Sequence, residues 1–265
     1  MLQRLHQLID KKEISEFNYR KSQIPGFLKL AAAVVLLVVS VLVFKSFLPV
    51  EDPLYSTPVQ IVSKHTEPAQ KLTIKLPDGS MVTLNAASTI DYPSEFSDSI
   101  RLVNVTGEAF FEVVEDSIPF VVHSGEISTR VLGTSFNVYF RENEPAKVAL
   151  LSGRVNVENA NDHSMHLLPG ERAVYNPENL QFTKLKYDYK EDFGWKDDIL
   201  FFREAGITEV KEKLQRWFGI QLHIIQAPDK LKHFTGTFKN ETLENVMQSL
   251  SFTYGFQYEI NNKNV

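Results

Sequence analysis

The pattern of hydrophobic and polar positions changes rhythm three times along the chain, and each change predicts a different kind of element. Between Leu30 and Phe44 no residue is charged and Ser40 alone is polar. With apolar flanks at Phe27, Leu28, Phe47 and Leu48 the run reaches the ~20 residues that cross a bilayer core. This predicts a transmembrane helix over residues 25–48, with Pro25 in its first turn and Pro49 as its stop. Lys29 and Lys45 are its anchors, long stems that carry their ammonium groups to the interface. A cleaved signal peptide fits less well, because the leader is long and Phe47-Leu48-Pro49 stands where a small-residue cleavage site belongs. Ahead of the span, residues 1–24 carry Leu5, Leu8 and Ile9 at helical spacing, which predicts one short amphipathic helix too small to bury a core.

Residues 49–70 read as a spacer in which Pro53, Pro58 and Pro68 oppose regular helix. Period-two alternation then takes over. Residues 71–182 hold short β-branched and aromatic runs at 72–76, 81–84, 100–105, 109–114, 120–123, 127–132, 136–140, 147–151, 155–158 and 172–175. Gly79, Gly107, Gly133, Gly153 and Gly170 mark turns or bulges between them. Many short strands at this spacing predict an all-β domain, a sandwich, a barrel or a short β-helical stack. In the run 136–140, Phe136, Val138 and Phe140 share the face that should be buried, with Asn137 and Tyr139 on the other. Residues 183–198 loosen into a linker, where Trp195 is placed to anchor a join or cap a strand.

The final change is to mixed periods. Residues 199–265 read as strands at 199–202, 221–225, 234–238 and 256–260 with helices at 208–218 and 242–252, Ile207, Val210, Leu214, Trp217 and Phe218 on one helix face and Leu243, Val246, Met247 and Leu250 on the other helix's face. The order βαββαβ predicts a small α+β domain.

Charge gives the span a direction. Lys11, Lys12, Arg20 and Lys21 lie close on its amino side, while Glu51 and Asp52 follow it and no base appears before Lys64. The amino terminus is therefore expected in the cytoplasm and the later domains on the far side of the membrane. Beyond Leu48 the chain has 21 bases against 30 acids, a net −9, which argues against a nucleic-acid-binding outer domain. There is no cysteine, so disulfides, thiol catalysis and cysteine-based metal sites are excluded. His163 and His166 beside Asp162 lack a third ligand at useful spacing, and the acids Glu108, Glu112, Glu115 and Asp116 read as a solvated face better than as a glycosidase pair. Ser135 and Ser152 lack a nucleophile-elbow pattern. The expectation is a protein that is not an enzyme and uses no cofactor or metal.

Several motifs stand in an order that resembles the FecR-type periplasmic sensor proteins, which act as anti-sigma factors. They are Leu76-Pro77-Asp78-Gly79-Ser80, Tyr92-Pro93, Val105-Thr106-Gly107-Glu108-Ala109-Phe110-Phe111, Val131-Leu132-Gly133-Thr134-Ser135-Phe136, Leu151-Ser152-Gly153-Arg154-Val155 and Leu168-Pro169-Gly170-Glu171. In the last portion, Leu214-Gln215-Arg216-Trp217-Phe218-Gly219 and Thr235-Gly236-Thr237-Phe238 look like the carboxyl-terminal domain that accompanies such proteins in Bacteroidetes-like bacteria, itself similar to the short signalling domain of secretins and TonB-dependent transducers. The resemblance implies a relay: an outer-membrane TonB-dependent transducer touches the periplasmic end, and the cytoplasmic segment controls an extracytoplasmic-function sigma factor. Leu5, Leu8 and Ile9 are then the expected sigma-factor contact, although family members usually carry a longer cytoplasmic region. The alternative is a membrane-anchored binding or scaffold protein without sigma-factor control. In that case the amino-terminal segment would serve topology alone.

Overall fold

The computed structural model describes residues 26–47, 59–161, 163–225, 233–261 and 264–265. The chain divides into two units, Met1–Thr57 and Pro58–Val265. In the first unit, helix α1 (Gly26–Phe47) occupies the predicted apolar run, with Lys45 in its last turn, where a cation complements the helix dipole. Its described side chains are exposed on every side, Leu36, Leu37 and Phe44 among them. Among the described residues no helix is long and apolar enough to cross a membrane. Leu5, Leu8 and Ile9, and the side chain of Lys29, lie outside the described set.

The second unit begins with a 13-stranded antiparallel-dominated system, barrel-like with unpaired edge strands, around one core. Its first half comprises β1 (Ile61–Thr66), β2 (Leu72–Lys75), β3 (Met81–Leu84), β4 (Ser88–Pro93), β5 (Arg101–Glu112), β6 (Phe120–Ser124) and β7 (Ile127–Val131). Its second half comprises β8 (Ser135–Phe140), β9 (Ala146–Ser152), β10 (Val155–Asn159), β11 (Ser164–Leu167), β12 (Glu171–Asn176) and β13 (Gln181–Lys186). The long strand β5 belongs to both sides of the structure. Its amino-terminal half pairs with β4 and, in parallel, with β6; its carboxyl-terminal half pairs with β3 and β8.

Gly107 is where β5 passes from one set of neighbours to the other. The sequence predicts a turn there between two strands, but the strand is continuous, because a glycine at φ +100° lets it bend without ending. Ser88 lies so close that a β-carbon at position 107 would stand 2.6 Å from its Cβ. Gly133 answers to a different constraint: its φ is ordinary, but a β-carbon would meet the Cα of Glu115 at 2.7 Å. Gly79, Gly153 and Gly170 sit at positive φ in turns.

The core is built from the inward faces of both halves, with Phe111 stacked on Phe136 at 5.0 Å and edge-on to Phe120 at 6.0 Å. One buried cation locks the rim. Arg101, the first residue of β5, donates to the Asp78 carboxylate at 2.8 Å and to the carbonyls of Val114, Leu132 and Ile118, while the Ser80 amide and hydroxyl donate to the same carboxylate. The Pro-Asp-Gly-Ser turn is thus a fastening built into the chain's first hairpin.

Four of these strands were not expected. β1 falls in the predicted spacer, β13 in the run-on to the linker, and β4 and β11 between predicted runs. β1 and β13 are edge strands with mostly exposed side chains, so they carry little alternation, and β11 turns the segment containing His163 and His166 into a hairpin with β10 in place of the predicted loop.

The C-terminal portion contains β14 (Ile199–Ala205), then helix α3 (Ile207–Phe218), β15 (Phe234–Lys239) and helix α4 (Leu243–Tyr254), after a short helix α2 (Tyr189–Asp192) and a 3₁₀ turn (Gly194–Asp197) in the segment before it. Both long helices end on glycines at positive φ, Gly219 and Gly255, and α4 begins on Thr242, whose hydroxyl accepts from the Asn245 amide. The predicted strands at 221–225 and 256–260 do not form ladders. Only isolated bridges occur there, Gln221 with Asn264 and Asn261 with Asn264, so the described sheet has two strands, β14 and β15. Its core is Phe202, Phe234, Val210, Leu214, Val246, Met247 and Leu250.

Candidate functional site

Alternation in β5, β8, β9 and β12 places Glu108, Phe110, Asn137, Tyr139, Lys147, Ala149 and Arg172 on the sheet face away from the main core, and the pairing register brings them side by side. A one-sided strand would leave this face in water. Here the segment 187–198 lies across it like a strap, and Phe110, Asn137 and Ala149 are buried. Strand β8 is therefore covered on both faces, which corrects the expectation that Asn137 lies on a solvated side.

The strap is held by rings and by charge. Phe193 meets Phe110 edge-on at 5.9 Å and Tyr187 at 5.0 Å, and Trp195 completes the cluster. Arg172 reaches Glu191 at 2.8 Å and Asp192 at 3.1 Å; Lys147 reaches Glu191 at 3.4 Å; Arg203 pairs with Asp188. Burial opposes ionisation of Glu191, but the Arg172 hydrogen bond and the Lys147 charge outweigh it and hold its carboxyl below the ordinary value. Burial dominates at Asp192, which is pushed up. Asp198 closes the strap in the left-handed region, φ 56°, and pairs with Lys71 at 2.6 Å.

Helix α3 works with two faces. Val210 and Leu214 point into the C-terminal core, while Lys213 and Arg216 project toward the β domain. Arg216 lies 3.8 Å from Glu144, and its carbonyl accepts from the Ala69 amide at 2.8 Å. The Lys213 ammonium donates to the Phe201 carbonyl at 2.6 Å and lies 5.4 Å from the Phe202 ring. Burial pulls Lys213 down, and the nearby Glu108 carboxylate pulls it back.

At the centre is a chain of polar side chains that the sequence did not suggest. Asn85 Nδ2 donates to Glu108 Oε2 at 2.7 Å, Asn137 Nδ2 donates to Glu108 Oε1 at 2.9 Å, and Trp195 Nε1 donates to Asn137 Oδ1 at 3.3 Å. Burial pushes the Glu108 carboxyl up, against the pull of Asn85, Asn137, Lys213 and Arg141. Of the four acids expected on one solvated face, Glu108 is thus withdrawn into the junction, while Glu115 and Asp116 are exposed. The signal that could have found it is parity: Glu108 and Phe110 share one strand face, and a phenylalanine on that face calls for a cover over it.

A second feature is the outer edge of β15. Among the described residues β15 pairs only with β14, so its other edge keeps free backbone groups, flanked by the exposed Thr235, Thr237 and Lys239. Among the described residues no group of three histidine, aspartate or glutamate side chains could hold a metal ion; Asp162 is outside them, and His163 and His166 are exposed.

The arrangement is a β domain with a strap across its covered face and a small α+β domain whose strand β15 pairs only with β14 among the described residues. Residues 64–156 match the family described as FecR protein, and residues 199–265 match FecR, C-terminal. Two crystal structures of a "putative anti-sigma factor" from Parabacteroides distasonis ATCC 8503, at 1.65 and 2.50 Å, are 30% and 31% identical to this chain. Each superposes with a TM-score of 0.69 over 77% of this chain and 96% or 97% of the other. No curated protein matches the chain. The chain belongs to the FecR family.

Proposed function

We propose that the protein is a single-pass inner-membrane anti-sigma factor that relays a signal from an outer-membrane TonB-dependent transducer to an extracytoplasmic-function sigma factor. The observation that carries this reading is the shared two-domain architecture, aligned over 96% of a chain described as an anti-sigma factor. A regulatory role fits a surface made of covered faces and strand edges, without a clustered catalytic constellation among the described residues. In this reading residues 25–48 cross the membrane, Lys29 and Lys45 anchor the crossing, and the domains after it lie in the periplasm.

The transducer's signalling domain would add a strand to the open edge of β15, where backbone hydrogen bonds give affinity and the alternate side chains give selectivity. On the cytoplasmic side Leu5, Leu8 and Ile9 would form the apolar contact to the sigma factor. The deciding experiment is co-purification of the full chain, in detergent, with each extracytoplasmic-function sigma factor of its source organism. One saturable complex, lost when Leu5, Leu8 and Ile9 are all replaced by Asp while membrane insertion persists, is the expected result. Failure to retain any of them would favour a membrane-anchored scaffold.

A further inference from the structure

Strand β1 is held from one side. Among the described residues it pairs only with β4, and its side chains are exposed or half-buried until Thr66, which is buried. The Thr66 hydroxyl donates to the Asn85 carbonyl at 2.6 Å and accepts from the Ser88 amide at 3.0 Å. A turn follows at once. In it the Gln70 amide donates to the Glu67 carbonyl at 3.1 Å, and Ala69 stands in the left-handed region at φ 63°, where glycine is the usual residue. The outward side of this turn meets the C-terminal domain. The Ala69 amide donates to the Arg216 carbonyl at 2.8 Å, in the last turn of α3, where a helix has no further amide of its own to offer. The Ala69 methyl fits against Gly219, since a β-carbon at 219 would stand 3.2 Å from it and 3.3 Å from the Pro68 carbonyl oxygen. Lys71, just past the turn, donates to the Trp195 carbonyl and to the Asp198 carboxylate at 2.6 Å, and its ammonium lies 5.0 Å from the Trp217 ring centre. One short segment of the β domain thus reaches both the strap and the end of α3.

We propose that residues 67–71 are a latch: α3 and the strap, by holding this segment, keep β1 paired with β4, and displacing the C-terminal domain frees β1. An edge strand that buries one residue gains little from the core, so its pairing is set by its ladder and by how firmly its end is fixed. That end is fixed first within the β domain, by Thr66 and by the Ala87 amide, which donates to the Glu67 carbonyl at 3.3 Å. It is fixed next by the latch. Displacement removes the Ala69 and Lys71 contacts together and leaves the positive φ of Ala69 without the interactions that use it. Strand β1 then depends on its ladder with β4 and on Thr66. Once free, it adds residues 61–71 to the chain that joins α1 to the β domain, so that movement at the carboxyl-terminal end becomes slack at the other. This inference goes beyond the proposed function, since it names no partner and holds whether or not residues 25–48 cross a membrane.

Amide hydrogen exchange of the full chain in detergent micelles, read by mass spectrometry, tests the latch. Lys71→Met is expected to speed exchange over residues 61–66 roughly tenfold, the size of one lost charge-assisted hydrogen bond, while β9 keeps the wild-type rate. Gly219→Ala loads the latch from the helix side and should speed the same residues. Gly255→Ala is its control. Gly255 ends α4 at φ 73° with open space around it, so an alanine there brings similar backbone strain without touching residues 67–71, and β1 should exchange as in wild type. Wild-type exchange over residues 61–66 in either folded latch variant would overturn the proposal. So would equal acceleration by Gly219→Ala and Gly255→Ala, or acceleration in β9 as large as in β1. The two latch variants act from opposite sides, and either decides the matter if the other does not fold.

Discussion

In the β domain, rings from several strands close on one another, Phe111 on Phe136 and Phe120, and the surrounding aliphatic residues are fully buried. The C-terminal domain also has an apolar centre, with Phe202, Phe234 and Leu214, but its contact with the β domain is a mixture of one aromatic cluster and many charges. The contrast teaches where change is possible. An apolar core gains from every buried methylene and opens only as a whole, whereas a polar seam exchanges its partners for water at little net loss. Displacement of the C-terminal domain would therefore alter the seam while leaving the β domain intact.

The contrast can be broken most severely from the β side. Phe111→Ala should cost about 3–5 kcal/mol and abolish the main cooperative transition in urea unfolding. Leu214→Ala should cost about 2–4 kcal/mol but act on the C-terminal domain, so that its amide protection against hydrogen exchange falls while the β-domain amides stay protected. Equal loss of protection in both domains would show that the seam is as cooperative as the core. Arg101→Met comes next. It strips Asp78 of its cation and three carbonyls of their donor, at roughly 3 kcal/mol, and should lower the melting temperature without changing the Trp195 environment.

Acid sharpens the comparison within the seam itself. Glu191 and Asp188 are both held below their ordinary values, 4.5 and 3.8, because Arg172 and Arg203 outweigh burial. Their stabilisation is present above those values and is lost as pH falls through the lower folded ones. Glu108 has the opposite sign. Raised by burial above 4.5, it favours the folded state increasingly as pH falls through its folded value toward 4.5. The stability difference between wild type and Glu108→Gln should accordingly move in favour of wild type between neutral pH and 4.5, as read by denaturant melts. A difference that stays flat with pH would mean that Glu108 is not buried in solution. The smallest effect is expected at the exposed edge of β13, where Lys184→Ala removes a surface pair with Glu171 and should change stability by less than about 0.5 kcal/mol.

Much of this architecture is visible in the residue pattern. Alternation located the buried strands β3, β6 to β10 and β12, and 3.6-residue periodicity located α3 and α4, because in both cases the buried stripe is written directly into the chain. Edge strands escaped for the reverse reason: β13 buries almost nothing, so its existence depends on hydrogen bonds to β12 that leave no hydrophobic signature. The continuity of β5 through Gly107 was hidden because a glycine after threonine reads equally as a turn or as a bend within a strand.

By itself the sequence determined the order of the segments, the apolar run of α1, the absence of cysteine chemistry, the β and α+β classes and the family, since each is a local property of composition, period or ordered motif. Only the tertiary structure decided that the second face of β5, β8 and β9 is covered, and that Glu108, Asn137, Trp195 and Lys213, spread over more than a hundred residues, meet at one seam. A period-two pattern states which residues share a face, but what lies against that face is set by chain segments far away in sequence.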